Sequence, residues 1–321
     1  MKKRRVKLTG LQTRVLVLVL LVVIFSIFVP YFLGIDNFTN ILVNGSVVGI
    51  IACAMTLLLV ARQIDISVGS SVAFSAAVFA ATAEKHSLIF SLVLALLAAC
   101  FVAVINIVSI VYLRIESIIV TLACLIAFRG LTKVVLDGRS ISVQNFDFIG
   151  AHRINLFGIV ALPIPVLICF FVFLYFALIM KYTKYGHHMY AIGANPESSR
   201  LAGIKLELQI SKAFLLMALA VFLAMIASVS MIGMAAPTTG DRLEFLALTA
   251  VILGGVGLAG GRGNVLGTLV AVLILAVIDN ALVLFGVKPF WQEVARGGLL
   301  LLAIIFDQFS RTRDKTVRME V

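Results

Sequence analysis

The sequence predicts an all-α polytopic membrane protein, a single transmembrane domain over residues 1–321 with about ten membrane-spanning helices. Three observations predict it. Hydrophobic residues make up 62% of the chain and charged residues only 13%, with mean hydropathy +1.15, where soluble domains carry roughly 25% charged residues. Apolar blocks recur along the whole length, separated by short polar breaks, whereas a β-barrel would show short segments of alternating polarity. The basic residues behind the net charge of +11 sit between apolar blocks and at the two ends, as orientation in a lipid bilayer requires, and not on one soluble face. Nucleic acid is therefore no partner of this chain.

The elements follow in order. Lys2, Lys3, Arg4, Arg5 and Lys7 precede a first span expected at 14–33. No small-residue cleavage site follows it, so it reads as an uncleaved helix. Spans are then expected at 44–62, 66–83, 88–112, 116–135 and 156–180. The third, SVGSSVAFSAAVFAATA, is rich in Gly, Ser and Ala and suits close packing against other helices. A polar stretch at 181–208 follows, and then spans at 209–235, 243–260, 263–285 and 289–307. Placing most of the 26 Lys and Arg residues inside puts both termini and the 181–208 stretch in the cytoplasm. Spans two to five and seven to ten then form four-helix groups of opposite sense, a common way to build a transporter around a pathway.

Several chemistries are missing. No GxxxxGK[ST] loop is present for nucleotide binding, and no His/Cys/Asp/Glu cluster has metal-ligand spacing. No Ser/His/Asp arrangement is visible, so the chain reads as neither an enzyme nor the holder of a cofactor. Cys53, Cys100, Cys124 and Cys169 are scattered through apolar segments with no CxxC pair and read as packing residues. His187 and His188 are adjacent and read as a solvated surface. Seven glycines between 254 and 267 lack the Lys-Ser/Thr of a phosphate cradle and predict tight turning between spans eight and nine.

The 181–208 stretch is longer than a connector needs to be. Asn195 is a sound N-cap, Pro196 suits the first helical turn, and Glu197 suits its positive end. Arg200 follows within a turn and Gly203 can end the helix, while Gly186 and Gly193 let the chain fold tightly beside it. A short, rigid helix along the membrane face reads as a docking element. Asp65, in QIDISVG with Ser67 and Ser70 close by, is either a helix break lining a pathway or a cap or ion-pair partner at the start of span three. Asp279 and Asn280 lie near the outer end of span nine, where contact with a solute and a packing role both fit.

YGHHMYAIGANPESSRLAGI resembles the cytoplasmic segment of ABC-importer permeases of the ribose/xylose/arabinose/galactose type, whose blocks are shared by rhamnose and autoinducer-2 permeases. Tyr185, Gly186, Tyr190, Ala191, Gly193, Asn195, Gly203 and Ile204 carry the match. QIDISVGS, TLACLIAFRG, AVILGGVGLAGGRGNVLGTLVAVLI, DNALVLFGV and Phe306-Asp307 follow the family's blocks in order. Arg62-Gln63, His187 and Ala194 depart from it. The resemblance implies a vitamin-importer-like (type II) ABC permease fold in a bacterial inner membrane. It also implies a second permease subunit, a cytoplasmic ABC ATPase docked on the loop, and an extracytoplasmic solute-binding protein. The solute implied is a sugar or sugar-like molecule. Arg139, Arg153 and Arg242 among the outer segments are then expected to meet that binding protein, because complementary charge speeds encounter and fixes orientation. A branched-chain amino-acid permease and a self-powered secondary transporter are the alternative readings.

Overall fold

A computed structural model describes residues 10–143, 146, 153–156 and 160–319. Among them are twelve α-helices: α1 (Gly10–Phe28), α2 (Ile35–Val60), α3 (Val68–Ala83), α4 (Leu88–Ile107), α5 (Ser117–Val135), α6 (Ile164–Tyr182), α7 (Lys184–Ala194), α8 (Pro196–Leu201), α9 (Leu206–Ile232), α10 (Leu243–Leu253), α11 (Val265–Leu284) and α12 (Pro289–Met319). A π-helical turn, Val108–Tyr112, continues α4. Two antiparallel pairs complete the described elements: β1 (Ile141–Ser142) with β4 (Met234–Ala235), and β2 (Arg153–Leu156) with β3 (Val160–Pro163).

Among the described residues, seven helices, α1, α2, α4, α5, α6, α9 and α11, are long and apolar enough to cross a membrane. The chain is a multi-pass membrane protein. Two further apolar helices are short. The 16 residues of α3 and the 11 of α10 span about 24 and 16 Å at 1.5 Å per residue, less than a hydrocarbon core of about 30 Å. Together with α12, these helices coincide one for one and in order with the ten expected spans.

The boundaries differ where local chemistry decides. α1 stops at Phe28, ahead of the turn that carries Pro30 and left-handed Tyr31 (φ 61°), so the first span begins and ends earlier than 14–33. α2 starts at Ile35 because its polar residues are satisfied in place. Thr39 bonds the Ile35 carbonyl, and Asn37 exchanges two hydrogen bonds with Asn280. α6 starts only at Ile164, since Pro163 and Pro165 hold the preceding chain extended, as β3. α10 ends at Leu253, where Gly254 is followed by left-handed Gly255 (φ 81°).

The helices pack in two equivalent sets. α2 packs on α9 at the centre. α2 also packs on α10 and α11, as α9 does on α3 and α4. α3 packs on α4 and α5, as α10 does on α11 and α12. Exchanging α2–α5 for α9–α12 therefore maps this set of contacts onto itself, which is the inverted-halves arrangement expected from alternating helix directions. In both sets a long helix, of 26 or 27 residues, feeds a non-helical segment and then a short buried helix. The core lies along α2, where every residue from Gly49 to Ala61 is buried. α1 buries none of its residues and presents Val15, Leu16, Val19 and Leu20 outward, a surface suited to lipid tails.

Candidate coupling and translocation site

The expected docking loop holds two helices, not one. Thr183 caps α7 by accepting from the Gly186 amide at 3.1 Å, and Asn195 caps α8 by accepting from the Ser198 amide at 3.0 Å. Gly203 (φ 82°) closes α8 as the Ile204 amide donates to the Ser199 carbonyl at 3.0 Å, a C-terminal closure that left-handed glycine permits. α7 is the anchor. A side-chain carbon at Gly186 would lie 2.5 Å from the Ile179 carbonyl oxygen. One at Gly193 would strike the Val60 carbonyl and lie 2.5 Å from the Gly261 amide. Tyr190 donates to the Gly263 carbonyl at 2.7 Å and Tyr185 to that of Gln209 at 3.2 Å. Burial pushes both phenols above their ordinary pKa, so both remain donors.

Arg62, at the end of α2, fastens the same corner. Its Nε donates to the Gly193 carbonyl at 2.6 Å and its second guanidinium nitrogen to that of Ala194 at 2.9 Å. The Gly261 amide donates to the Val60 carbonyl at 2.8 Å, and Gly255, Gly260, Gly261 and Gly263 all take left-handed backbone in the loop between α10 and α11. The end of α2, the end of α7 and the glycine loop thus form one bonded block. The residues expected to serve docking divide accordingly. Tyr185, Gly186, Tyr190 and Gly193 lie against the helices. Arg200, exposed and 3.4 Å from Glu207, lies on the α8 side with Asn195, Gly203 and Ile204.

Asp65, Ser67 and Ser70 come together inside the bundle, all buried. Asp65 Oδ1 accepts from both the amide and the hydroxyl of Ser67, at 2.9 and 2.5 Å. Asp65 therefore closes an Asx turn onto Ser67, the residue that precedes α3, while Arg62 bonds to the end of α7. Asn106 Nδ2 donates to Ser67 Oγ at 3.1 Å from α4, just before the π-helical turn, while its Oδ1 is buried without a partner. Asp279 and Asn280 lie elsewhere, bonded to Arg296 and Asn37.

The segment after α9 returns inward before α10 begins. Arg129 of α5 holds it there, donating to the Thr239 carbonyl at 2.7 Å and pairing with Asp241 at 3.0 Å. The starts of α3 and α10 meet at this point. A side-chain carbon at Gly69 would lie 2.5 Å from the Gly240 carbonyl and collide with the buried Glu244 carboxylate. Gly69 and Glu244 are each the second residue of their helix, so they are equivalent positions of the two inverted sets. Asn106, Arg129 and Glu244 were not singled out from sequence. Their signal was present, because each is a polar or ionisable residue inside an apolar span.

On the face remote from α7 and α8, Arg139 is exposed in the turn after α5, and Arg153 stands opposite Pro163 in the β2–β3 register. Arg242 is ion-paired to Glu293 of α12.

Residues 37–304 match the family described as branched-chain amino acid transport system / permease component. The chain is 34% identical over 304 residues to the ribose import permease protein of Escherichia coli K12, covering 92% of this chain and 93% of that one. It is 33% identical to the ribose import permease protein of Bacillus subtilis 168, covering 96% of both. It is 32% identical to the L-arabinose ABC transporter permease protein of Azospirillum brasilense, covering 95% of this chain and 89% of that one. No solved structure matches the chain. The matched span takes in nearly every helix that builds the bonded corner and the inverted sets, and the chain belongs to this family of transport-system permeases.

Proposed function

We propose that the chain is the membrane-spanning permease subunit of an ATP-driven importer for a sugar or sugar-like solute. The observation that carries this reading is the 34% identity, over 92% of the chain, to a protein named as a ribose import permease. The α7–α8 corner supports the mechanism. An ATPase pushing on α8 moves α7, and α7 moves the end of α2 and the glycine loop with it, because hydrogen bonds join all three. α2 packs on α9 at the centre, so the displacement reaches the place where the two helix sets meet.

On this reading α7 and α8 face the cytoplasm of a bacterial inner membrane, where the chain receives an ABC ATPase. A second permease subunit completes the pathway. A solute-binding protein delivers the sugar from the opposite side, with Arg139, Arg153 and Arg242 on the side that meets it. Asp65, Ser67 and Ser70 then line the pathway at the start of α3. The test is uptake of labelled D-ribose, L-arabinose and L-leucine by proteoliposomes holding the permease, its ATPase and its binding protein. Uptake of a pentose is expected. Uptake of leucine alone would assign the chain to the amino-acid branch instead.

A further inference from the structure

A cavity of about 440 Å³ lies between α10 and α12, close to the first turns of both. Small-molecule sites generally hold roughly 300–1,000 Å³. Its wall combines two aromatic rings with charge. Phe245 and Phe290 are 47% and 79% exposed. Arg242 reaches from the start of α10 to Glu293 on α12, and Arg296 joins the wall one turn further along. Arg296 is itself held by Asp279 of α11 at 3.0 Å. At Gly297 nothing lies within 4 Å of where a side chain would begin, so that part of the wall is open.

The charges form a balanced row. Arg129–Asp241, Arg242–Glu293 and Arg296–Asp279 supply three cations and three anions, and residues 241 and 242 join the first pair to the second. A balanced row exerts little net attraction on an ion. It does offer free guanidinium donors beside carboxylate acceptors, since each arginine has five N–H groups and an ion pair uses only some of them. A solute with several hydroxyls, each both donor and acceptor, matches that edge. The two phenyl rings match the apolar C–H face of the same solute.

We propose that this cavity is a transient binding site for a neutral polyhydroxylated solute on its way through the permease. The hydroxyl edge faces Arg242, Glu293 and Arg296, and the apolar face lies against Phe245 and Phe290. The inference rests on the sugar-importer reading and adds a place and a set of residues to it.

The test uses the assembled importer in proteoliposomes, with Cys53, Cys100, Cys124 and Cys169 replaced by alanine and Val294→Cys added in the cavity wall. The probe is a cationic, membrane-impermeant methanethiosulfonate reagent applied from the binding-protein side. We expect labelling, slowed about tenfold by saturating D-ribose or L-arabinose and unaffected by L-leucine. Glu293→Gln, in protein that remains monodisperse, should lower pentose uptake about tenfold and weaken the protection. Absence of labelling in a transport-active importer would overturn the inference, because the cavity would then be filled by lipid or by a second copy of the chain. Labelling without protection, in vesicles that do take up the pentose, would overturn it too and leave the importer reading standing. Failure of the unsubstituted importer to take up any sugar would remove both.

Discussion

Gly69 shows most clearly what a single residue decides. It faces the Gly240 carbonyl and the Glu244 carboxylate where the two short helices begin. One helix set carries a glutamate at its second position, and the equivalent position of the other has no side chain to meet it. Gly69→Ala is expected to destabilise the detergent-solubilised protein by about 1–3 kcal/mol, the usual cost of overpacking, read as a lowered melting temperature. Gly69→Ala combined with Glu244→Ala should recover only part of that loss, because the Gly240 backbone oxygen stays in place. Unchanged melting of the single variant would show that α3 and α10 do not meet as described. Asp65 is a second case. The sequence left a pathway group, a cap and an Arg62 partner open, and the geometry bonds Asp65 to Ser67 and Arg62 to Gly193 and Ala194. The choice was not legible in sequence because Arg62 had carbonyl partners more than 130 positions away in the chain.

At the scale of elements, most helices were legible because length and hydropathy nearly suffice to find them in a bilayer. The ends were less so. Prolines at 163 and 165 shortened the sixth span, and the Asn37–Asn280 pair let polar residues extend the second. The short α8 was legible from its caps. α7 was not, because its glycines at 186 and 193 read as breaks, whereas each sits inside a helix whose neighbours leave no room for a side chain. The bonded corner yields a prediction about coupling. Arg62→Ala removes two hydrogen bonds to the end of α7, each worth about 0.5–1.5 kcal/mol with the guanidinium exposed to water. The expected outcome is an importer that assembles and hydrolyses ATP but takes up solute about five- to tenfold more slowly. Measuring hydrolysis and uptake on the same vesicles checks it, and a parallel fall in both would show that the corner only stabilises the fold. Gly193→Ala should act in the same direction and more strongly, since it displaces the Val60 carbonyl from the Gly261 amide.

At the scale of the whole molecule, opposite helix directions were enough to expect inverted halves, although the halves share no evident sequence identity. The matching contacts of α2–α5 and α9–α12 come from shape, not from repeated residues, and so could be seen only once the helices were packed. The return of the 233–242 segment before α10 was hidden for the same reason. The polar break at 236–242 was marked in the sequence, but its inward return was not, because a polar break reads the same whether the chain leaves the bundle or turns back into it. Arg14, Arg62, the α7–α8 segment and the glycine loop gather on one face, as Arg14 donates to the Leu253 carbonyl and Arg62 to Gly193. The orientation proposed above therefore predicts that Ser198→Cys is labelled only from the cytoplasm and His86→Cys only from the opposite side. Labelling of both from one side would contradict the helix order itself.

The central claim is that this chain moves a sugar only when an ATPase works on it. The most direct measurement is labelled D-ribose or L-arabinose uptake by proteoliposomes, with ATP inside and the binding protein outside, compared with vesicles holding the permease alone. The account predicts uptake that requires ATP, the ATPase and the binding protein together, and that stops when ATP is replaced by a non-hydrolysable analogue. Uptake by the permease alone, driven by an ion gradient and indifferent to ATP, would contradict it.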